Sequence, residues 1–212
     1  MKIVKFVLSP LHTNCYVIYS NVEAMAIDPG WPQGVEAIVK FLDDLGLKLK
    51  FVVATHGHFD HVLGVAKLKE LTDFTFLTHV ADLPLIKEAH VLARKLFNVS
   101  TSEVPEPDSY VVEGSELSLA GVKLKVLETP GHTMGSITLV GEDVAFTGDT
   151  LFKGTIGRVD FPHSSSKAMV ESLRKLANLP KNTTLYPGHG EHTRLDEELL
   201  RNYYLRKALK KL

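Results

Sequence analysis

The sequence predicts an α/β protein built as an αββα sandwich, with two mixed β-sheets packed together and helices on their outer faces. Two observations lead to this fold class. Segments of strand-like composition fall into two groups along the chain, and segments of helical periodicity follow each group. The 212 residues are 44% hydrophobic and 23% charged, which is typical of a folded globular chain. We therefore expect one domain over residues 1–212.

The first group of strands lies in the amino-terminal third. Residues 2–8 are rich in β-branched and aromatic side chains, and the turn at Ser20-Asn21 separates two further runs. Apolar residues then recur at helical spacing from Val35 until Gly46. The predicted strands are 2–8, 15–19, 23–27, 51–54 and 74–77, and the predicted helices are 35–45, 63–71 and 81–97.

The second group follows a polar stretch, residues 100–109. Short runs with β-forming residues alternate with turn residues, and a glycine-rich segment, 148–165, is expected to be a long loop. The predicted strands are 110–112, 116–119, 122–127, 136–140, 143–147 and 183–186, and the predicted helices are 166–177 and 194–210.

Composition excludes several classes of function. The chain has 24 basic and 25 acidic residues, a formal net charge of −1, so no overall positive field favours nucleic acid. No apolar stretch approaches the roughly 18 residues of a membrane span, which predicts no membrane partner. The single cysteine, Cys15, excludes an intrachain disulfide and a cysteine-cluster metal site, and a reducing cytoplasm is the expected location.

The strongest chemical signal is the loop after the apolar run 51–54. It places His56, His58, Asp60 and His61 within six residues, and imidazole and carboxylate are ligands of zinc, iron and manganese. Two residues apart in an extended loop, His56 and His58 can face the same way. Asp60 and His61 lie too far along the loop to reach the same ion easily, so the spacing suggests two neighbouring metal ions.

Three more candidate ligands follow later predicted strands. They are His132, Asp149 and His189, and a glycine directly precedes each of them. Glycine permits the sharp turns and close approach that a ligand-bearing loop needs. Histidine or aspartate at four strand ends, three of them beside glycine, is a pattern that a polar surface loop does not explain.

The run HGHFDH, followed by His132, Asp149 and His189, resembles the HxHxDH…H…D…H motif of the metallo-β-lactamase superfamily. The resemblance implies the αββα fold and two divalent metal ions, with zinc expected and iron or manganese as alternatives. It also implies a ligand assignment: His56, His58 and His132 for the first ion, Asp60, His61 and His189 for the second, and Asp149 bridging both.

Within that superfamily, the segments around Asp149, Arg158 and His189 are similar to the glyoxalase II-like hydrolases. Arg158 matches a basic residue of that group, and we expect Arg158 and Lys153 to bind an anionic part of the substrate. An ion pair between Arg158 and Asp160 is an equally open interpretation. Asp160 and Glu191 stand where full-length glyoxalase II has tyrosines, and the short segment after His189 is not expected to form its carboxy-terminal helical domain.

These features predict a metal-dependent hydrolase of thioesters or esters, most closely of the S-D-lactoylglutathione type, acting on a small molecule. Water bound to such ions ionises near neutral pH, and Asp60 is the candidate to orient it and take its proton. The alternatives are a mononuclear-iron persulfide dioxygenase, an acyl-homoserine lactonase, a nuclease and a non-catalytic metal-binding module. The sequence leaves monomer and homodimer open.

Overall fold

The computed structural model describes residues 1–8 and 10–210. The first sheet has six strands, β1 (Lys2–Leu8), β2 (Thr13–Ser20), β3 (Glu23–Ile27), β4 (Lys48–Val53), β5 (Thr75–Thr78) and β6 (Ser109–Tyr110). They lie in space in their sequence order. The first three strands are antiparallel neighbours, whereas β3 to β6 run parallel.

The second sheet and a separate small hairpin come from the later strands. These are β7 (Glu116–Leu119), β8 (Val122–Glu128), β9 (Ile137–Val140), β10 (Val144–Gly148), β11 (Leu151–Phe152), β12 (Thr155–Ile156), β13 (Thr184–Pro187) and β14 (Thr193–Arg194). The sheet has the order β14-β13-β10-β9-β8-β7, and β11 pairs only with β12. Only β10 and β13 are parallel neighbours in this sheet, so both sheets are mixed, as expected.

Helices cover the outer face of each sheet. They are α1 (Val35–Asp44), α2 (Phe59–Val62), α3 (Gly64–Leu71), α4 (Leu83–Phe97), α5 (Ser166–Leu176), α6 (Leu195–Arg201) and α7 (Tyr203–Leu209), with a short 3₁₀ helix at Val80–Asp82. In the part of the chain that the structure describes, none of the helices is long and apolar enough to cross a membrane.

Strand β2 shows how the layers form. Cys15 and Val17 pack beneath the helices of the first half, whereas Tyr16 and Ile18 face the second sheet. Side chains alternate between the two faces of a strand, so this continuously apolar run is buried on both sides. A third apolar cluster joins the outer face of the second sheet to α5, α6 and α7. The predicted αββα sandwich is confirmed.

Parallel strand directions bring distant loops to one edge of the sandwich. β3 and β4 run parallel in the first sheet, and β8, β10 and β13 share one direction in the second. At that edge the backbone N–H of Asn14 donates to the Gly188 carbonyl at 2.7 Å. The backbone N–H of Ile137 donates to the Thr55 carbonyl at 2.9 Å. The loops that follow these strands therefore meet across the two sheets.

The structure corrects two local predictions, over residues 194–210 and 148–165, and shifts the bounds of one predicted strand. The helix expected over 194–210 is divided at Asn202 into α6 and α7, and Asn202 caps α7 by accepting from the Tyr204 and Leu205 amides at 3.1 Å. The segment 148–165, expected to be a loop, contains the β11–β12 hairpin. The strand expected at 110–112 is shorter and lies at Ser109–Tyr110.

One buried side chain explains both corrections. The Asn202 side-chain amide donates to the carbonyls of Phe152 and Thr155 at 3.3 and 3.0 Å, and to Glu198 at 2.8 Å. It is fully buried. Asparagine favours helix N-caps because its side chain satisfies free amides, so the break in the helix also holds the hairpin.

Replacement of Asn202 by alanine should lower the free energy of unfolding by about 2–4 kcal/mol, because it leaves cap amides and hairpin carbonyls without partners. Chemical denaturation measures the change. Asn178→Ala is the control, since exposed Asn178 makes one hydrogen bond at the end of α5. Equal stability of the two variants would contradict the proposed anchoring.

Candidate metal centre

The structure brings all seven candidate ligands together where the strand ends meet. The side chains are His56, His58, Asp60, His61, His132, Asp149 and His189. Two neighbouring groups, His56/His58/His132 and Asp60/His61/His189, each place one ligand atom per residue within 4.8 Å of the others. A third group, His56/His61/Asp149, overlaps both of them. The grouping matches the assignment that the motif implies.

The first group is a tight cluster of imidazoles. His58 Nδ1 lies 2.9 Å from His132 Nε2, and the ring centroid of His56 lies 4.9 and 5.0 Å from those of His58 and His132. His56 is completely buried, and its Nε2 has no hydrogen-bond partner among the described residues.

The second group combines imidazoles with carboxylates. His189 Nε2 lies 3.2 Å from Asp60 Oδ2 and 3.3 Å from His61 Nε2. Asp149 lies between the groups: its Oδ2 is 3.6 Å from both His132 Nε2 and His189 Nε2, and its Oδ1 is 3.6 Å from His61 Nε2. Asp149 therefore lies near histidines of both groups.

A buried network fixes the outer nitrogens of His56 and His61. The Thr55 hydroxyl donates to Asp28 at 2.7 Å, so its oxygen is free to accept from His56 Nδ1 at 3.2 Å. His61 Nδ1 lies 3.0 Å from the same Asp28 carboxylate oxygen. In the neutral form of each ring, these outer neighbours favour a proton on Nδ1, which leaves the Nε2 lone pair facing the centre.

Backbone carbonyls fix the outer nitrogens of two more histidines. His132 Nδ1 faces the Arg158 carbonyl at 2.9 Å, and His189 Nδ1 faces the Leu11 carbonyl at 3.2 Å. A carbonyl oxygen only accepts, so each Nδ1 is the donor and each Nε2 lone pair points inward.

This donor set fits divalent metal ions. Inward lone pairs repel one another unless a cation lies between them, and the buried His56 Nε2 and Asp149 Oδ1 have no hydrogen-bond partner among the described residues. Imidazole and carboxylate without thiolate are ligands that suit zinc, iron and manganese.

Charge is distributed unevenly across the centre. Burial, together with the neighbouring His132 ring, lowers the pKa of His58 to about 2. Burial alone would also lower the pKa of His61, but the carboxylates of Asp60, Asp149 and Asp28 raise it to about 10. The carboxylates are therefore concentrated around His61. With neutral histidines they would leave a negative charge that a divalent cation would neutralise.

Asp60 is held as an ionised carboxylate. Burial would raise the pKa of its carboxyl group, but His61 and His189 hold that pKa below its ordinary value. The Thr13 hydroxyl donates to Asp60 Oδ2 at 2.9 Å and fixes the orientation of the side chain.

The glycines before the later ligands leave room for neighbouring atoms. A Cβ at Gly188 would lie 2.3 Å from Asp149 Oδ1, and one at Gly148 would lie 2.4 Å from Thr55 Oγ1. Gly148 also has a φ of +48°, which favours glycine. A Cβ at Gly131 would likewise lie 2.6 Å from Met169 Cα. Close approach therefore explains the glycine that precedes each of the three later ligands.

The predicted substrate residues flank the centre. Arg158 forms a two-pronged ion pair with Asp160, both contacts 2.9 Å, and its guanidinium lies 4.4 Å from the centre of the Phe161 ring. Phe161 in turn packs near His58. On the other side Lys153, between β11 and β12, pairs with Glu191 at 2.5 Å. Both cations are exposed and ion-paired.

Sequence reasoning missed the residues behind the ligands. Asp28 directly follows β3, the parallel neighbour of the strand that precedes His56, and this placement could have revealed it. Asp82 had no such signal, because it ends a short 3₁₀ helix and reaches the centre only through the tertiary fold.

The buried Asp82 carboxylate ties two ligand loops together. It accepts from the Gly57 amide at 2.7 Å, the Thr133 hydroxyl at 2.6 Å and the Gly135 amide at 2.7 Å. Gly57 separates His56 from His58, and Thr133 follows His132. One carboxylate therefore sets the distance between the two loops that form the first group.

Comparison with known proteins identifies similar chains. Residues 8–189 match the metallo-beta-lactamase superfamily. The hydroxyacylglutathione hydrolase GloC of Haemophilus influenzae is 33% identical over 197 residues, which cover 91% of this chain and 92% of that protein.

Two crystal structures share the fold over nearly their full length. The B3 metallo-beta-lactamase BLEG-1 has a TM-score of 0.87 and 28% identity, covering 96% of this chain and 99% of that one. TTHA1623, in a di-iron-bound form, has a TM-score of 0.85 and 34% identity, and the match covers 95% of this chain and 99% of that one.

Asp82→Asn should weaken zinc binding by about tenfold and lower the free energy of unfolding by about 1–3 kcal/mol, because an amide nitrogen cannot accept the hydrogen bonds of Gly57 and Thr133. Chelator competition and denaturation measure the two effects. Asp108→Asn is the matched control, since exposed Asp108 accepts a backbone amide away from the ligand loops. Unchanged zinc affinity in Asp82→Asn would contradict the role in loop spacing.

Proposed function

Because the chain belongs to the metallo-β-lactamase superfamily, we propose that it hydrolyses thioester or ester bonds with two divalent metal ions. The convergence of seven ligand side chains in two adjoining groups carries this proposal. We propose zinc as the resident metal, with iron and manganese as the alternatives to test. The similarity to a di-iron-bound protein supports including iron in that test.

The substrate that we propose is a small thioester of the S-D-lactoylglutathione type. Similarity to a hydroxyacylglutathione hydrolase over most of both chains supports it. The exposed cations of Arg158 and Lys153 would also suit a small anionic substrate, because guanidinium and ammonium groups pair with carboxylates. In the reaction, water adds to the carbonyl carbon and the carbon–sulfur bond breaks, giving a carboxylate, a thiol and one proton.

Two divalent ions in this centre would supply a water of lowered pKa and a positive charge against the carbonyl oxygen. The residues of the chain have separate tasks. Asp60, ionised and oriented by Thr13, would accept the proton of the attacking water. Its lowered pKa favours release of that proton afterwards. Arg158 and Lys153 would bind the anionic ends of the substrate.

Protein loaded with zinc, manganese or iron should hydrolyse S-D-lactoylglutathione, and a chelator should abolish the reaction. His58→Ala should lose the activity and bind less metal, because it removes a ligand of the first group. His90→Ala, on α4 and outside the centre, is the control. Loss of absorbance by the thioester measures the rate.

Metal-loaded protein that leaves this thioester intact would contradict the proposed substrate. Oxygen uptake with glutathione persulfide would then point to a persulfide dioxygenase, and opening of an acyl-homoserine lactone would point to a lactonase. An active His58→Ala variant with a full metal complement would contradict the metal centre itself.

Arg158→Ala should raise KM by about three- to tenfold with little change in kcat, because the side chain would bind substrate and take no part in the chemistry. Its backbone carbonyl, which faces His132, is retained. Asp160→Ala frees the guanidinium and should not raise KM. Steady-state kinetics test both variants, with Arg201→Ala as a remote control. An unchanged KM in Arg158→Ala would contradict substrate binding by Arg158 and leave it only the structural ion pair with Asp160.

A further inference from the structure

The outer nitrogen of His58 has an unusual partner. The other four candidate ligand histidines face a threonine hydroxyl, a carboxylate or a backbone carbonyl. His58 Nε2 instead lies 2.7 Å from Nε2 of His163, another imidazole. His163 is absent from the ligand groups and from the motif.

The direction of this hydrogen bond decides what His58 offers to a metal ion. A neutral imidazole carries one proton, and the nitrogen without it is the ligand. If His58 holds its proton on Nδ1, it donates to His132 Nε2, 2.9 Å away. That hydrogen bond occupies both Nδ1 of His58 and Nε2 of His132, so neither atom can bind a metal ion. If it holds the proton on Nε2 and donates to His163, both Nδ1 of His58 and Nε2 of His132 remain free.

The surrounding loop holds His163 in a position to accept. Its ring is stacked on Phe161, with an interplanar angle of 13° and centroids 5.4 Å apart. The next residue, Ser164, donates its hydroxyl to the His132 carbonyl at 2.7 Å, and the Ser165 amide donates to the Gly131 carbonyl at 2.8 Å. The loop that carries His163 is therefore fastened to the loop that carries His132.

We propose that His163 is a positioning residue for His58: its Nε2 accepts from His58 Nε2 and so presents Nδ1 of His58 as a metal ligand. Outer partners of this kind orient a ligand histidine, and their loss typically weakens metal binding 10- to 100-fold. The inference rests on the metal centre of the proposed function and not on the proposed substrate.

The test is metal binding by His163→Phe, which keeps a ring to stack on Phe161 but removes the acceptor. Zinc affinity, from competition with a chromophoric chelator, should fall by about 10- to 100-fold for one of the two ions. The absorption spectrum of the cobalt-loaded protein should change, because the geometry around that ion changes. His163→Gln supplies an amide oxygen as acceptor and should recover most of the affinity.

His192→Phe is the matched control, because exposed His192 is also an imidazole stacked on an aromatic ring, that of Tyr186. It should bind zinc and cobalt as the unmodified protein does. Histidine ¹⁵N spectra of the zinc-loaded protein should show a proton on His58 Nε2, and that proton should exchange faster with water in His163→Phe.

The outcomes separate the two proposals. Equal affinity for both ions in His163→Phe and the unmodified protein overturns the role of His163 alone. A proton on His58 Nδ1 in the zinc-loaded protein also overturns it. Failure of the unmodified protein to bind any divalent ion overturns the proposed metal centre and this inference together.

Discussion

The single proton of a neutral imidazole is the constraint on which the candidate centre depends. When an outer acceptor fixes the proton on one ring nitrogen, the other nitrogen keeps a free lone pair that can bind a metal ion. Asp28 acts on His61 directly and on His56 through Thr55, while backbone carbonyls act on His132 and His189. The ligand character of the site is therefore set by contacts behind the rings, in the strand ends and loops of the sandwich.

Buried carboxylates have two different tasks around this centre. Asp60 and Asp149 face inward and attract positive charge, whether a proton on His61, whose pKa they raise, or a metal ion. Asp82 faces two loop amides and a hydroxyl, which satisfy it locally. Burial makes an unpaired carboxylate costly, so the first pair favours metal binding whereas Asp82 stabilises the loop geometry.

The layers of the fold and the seven candidate ligands follow from local patterns in the sequence. Periodicity distinguishes the strand 23–27 from the helix that begins at Val35, and the HxHxDH run is contiguous. The break at Asn202 and the roles of Asp82 and His163 could not be predicted this way. Each depends on contacts between residues that are distant in sequence, for which neither spacing nor composition gives a signal.

The contact between the Leu11 carbonyl and His189 joins residues 178 positions apart. A ribosome releases residues 56–61 long before it has made His189, so the second group of ligands cannot be complete until His189 has been synthesised. Metal selection thus depends on residues that lie far apart in the chain. Assembly of the centre is coupled to packing of the two sheets against each other. Such long-range contacts form slowly during folding.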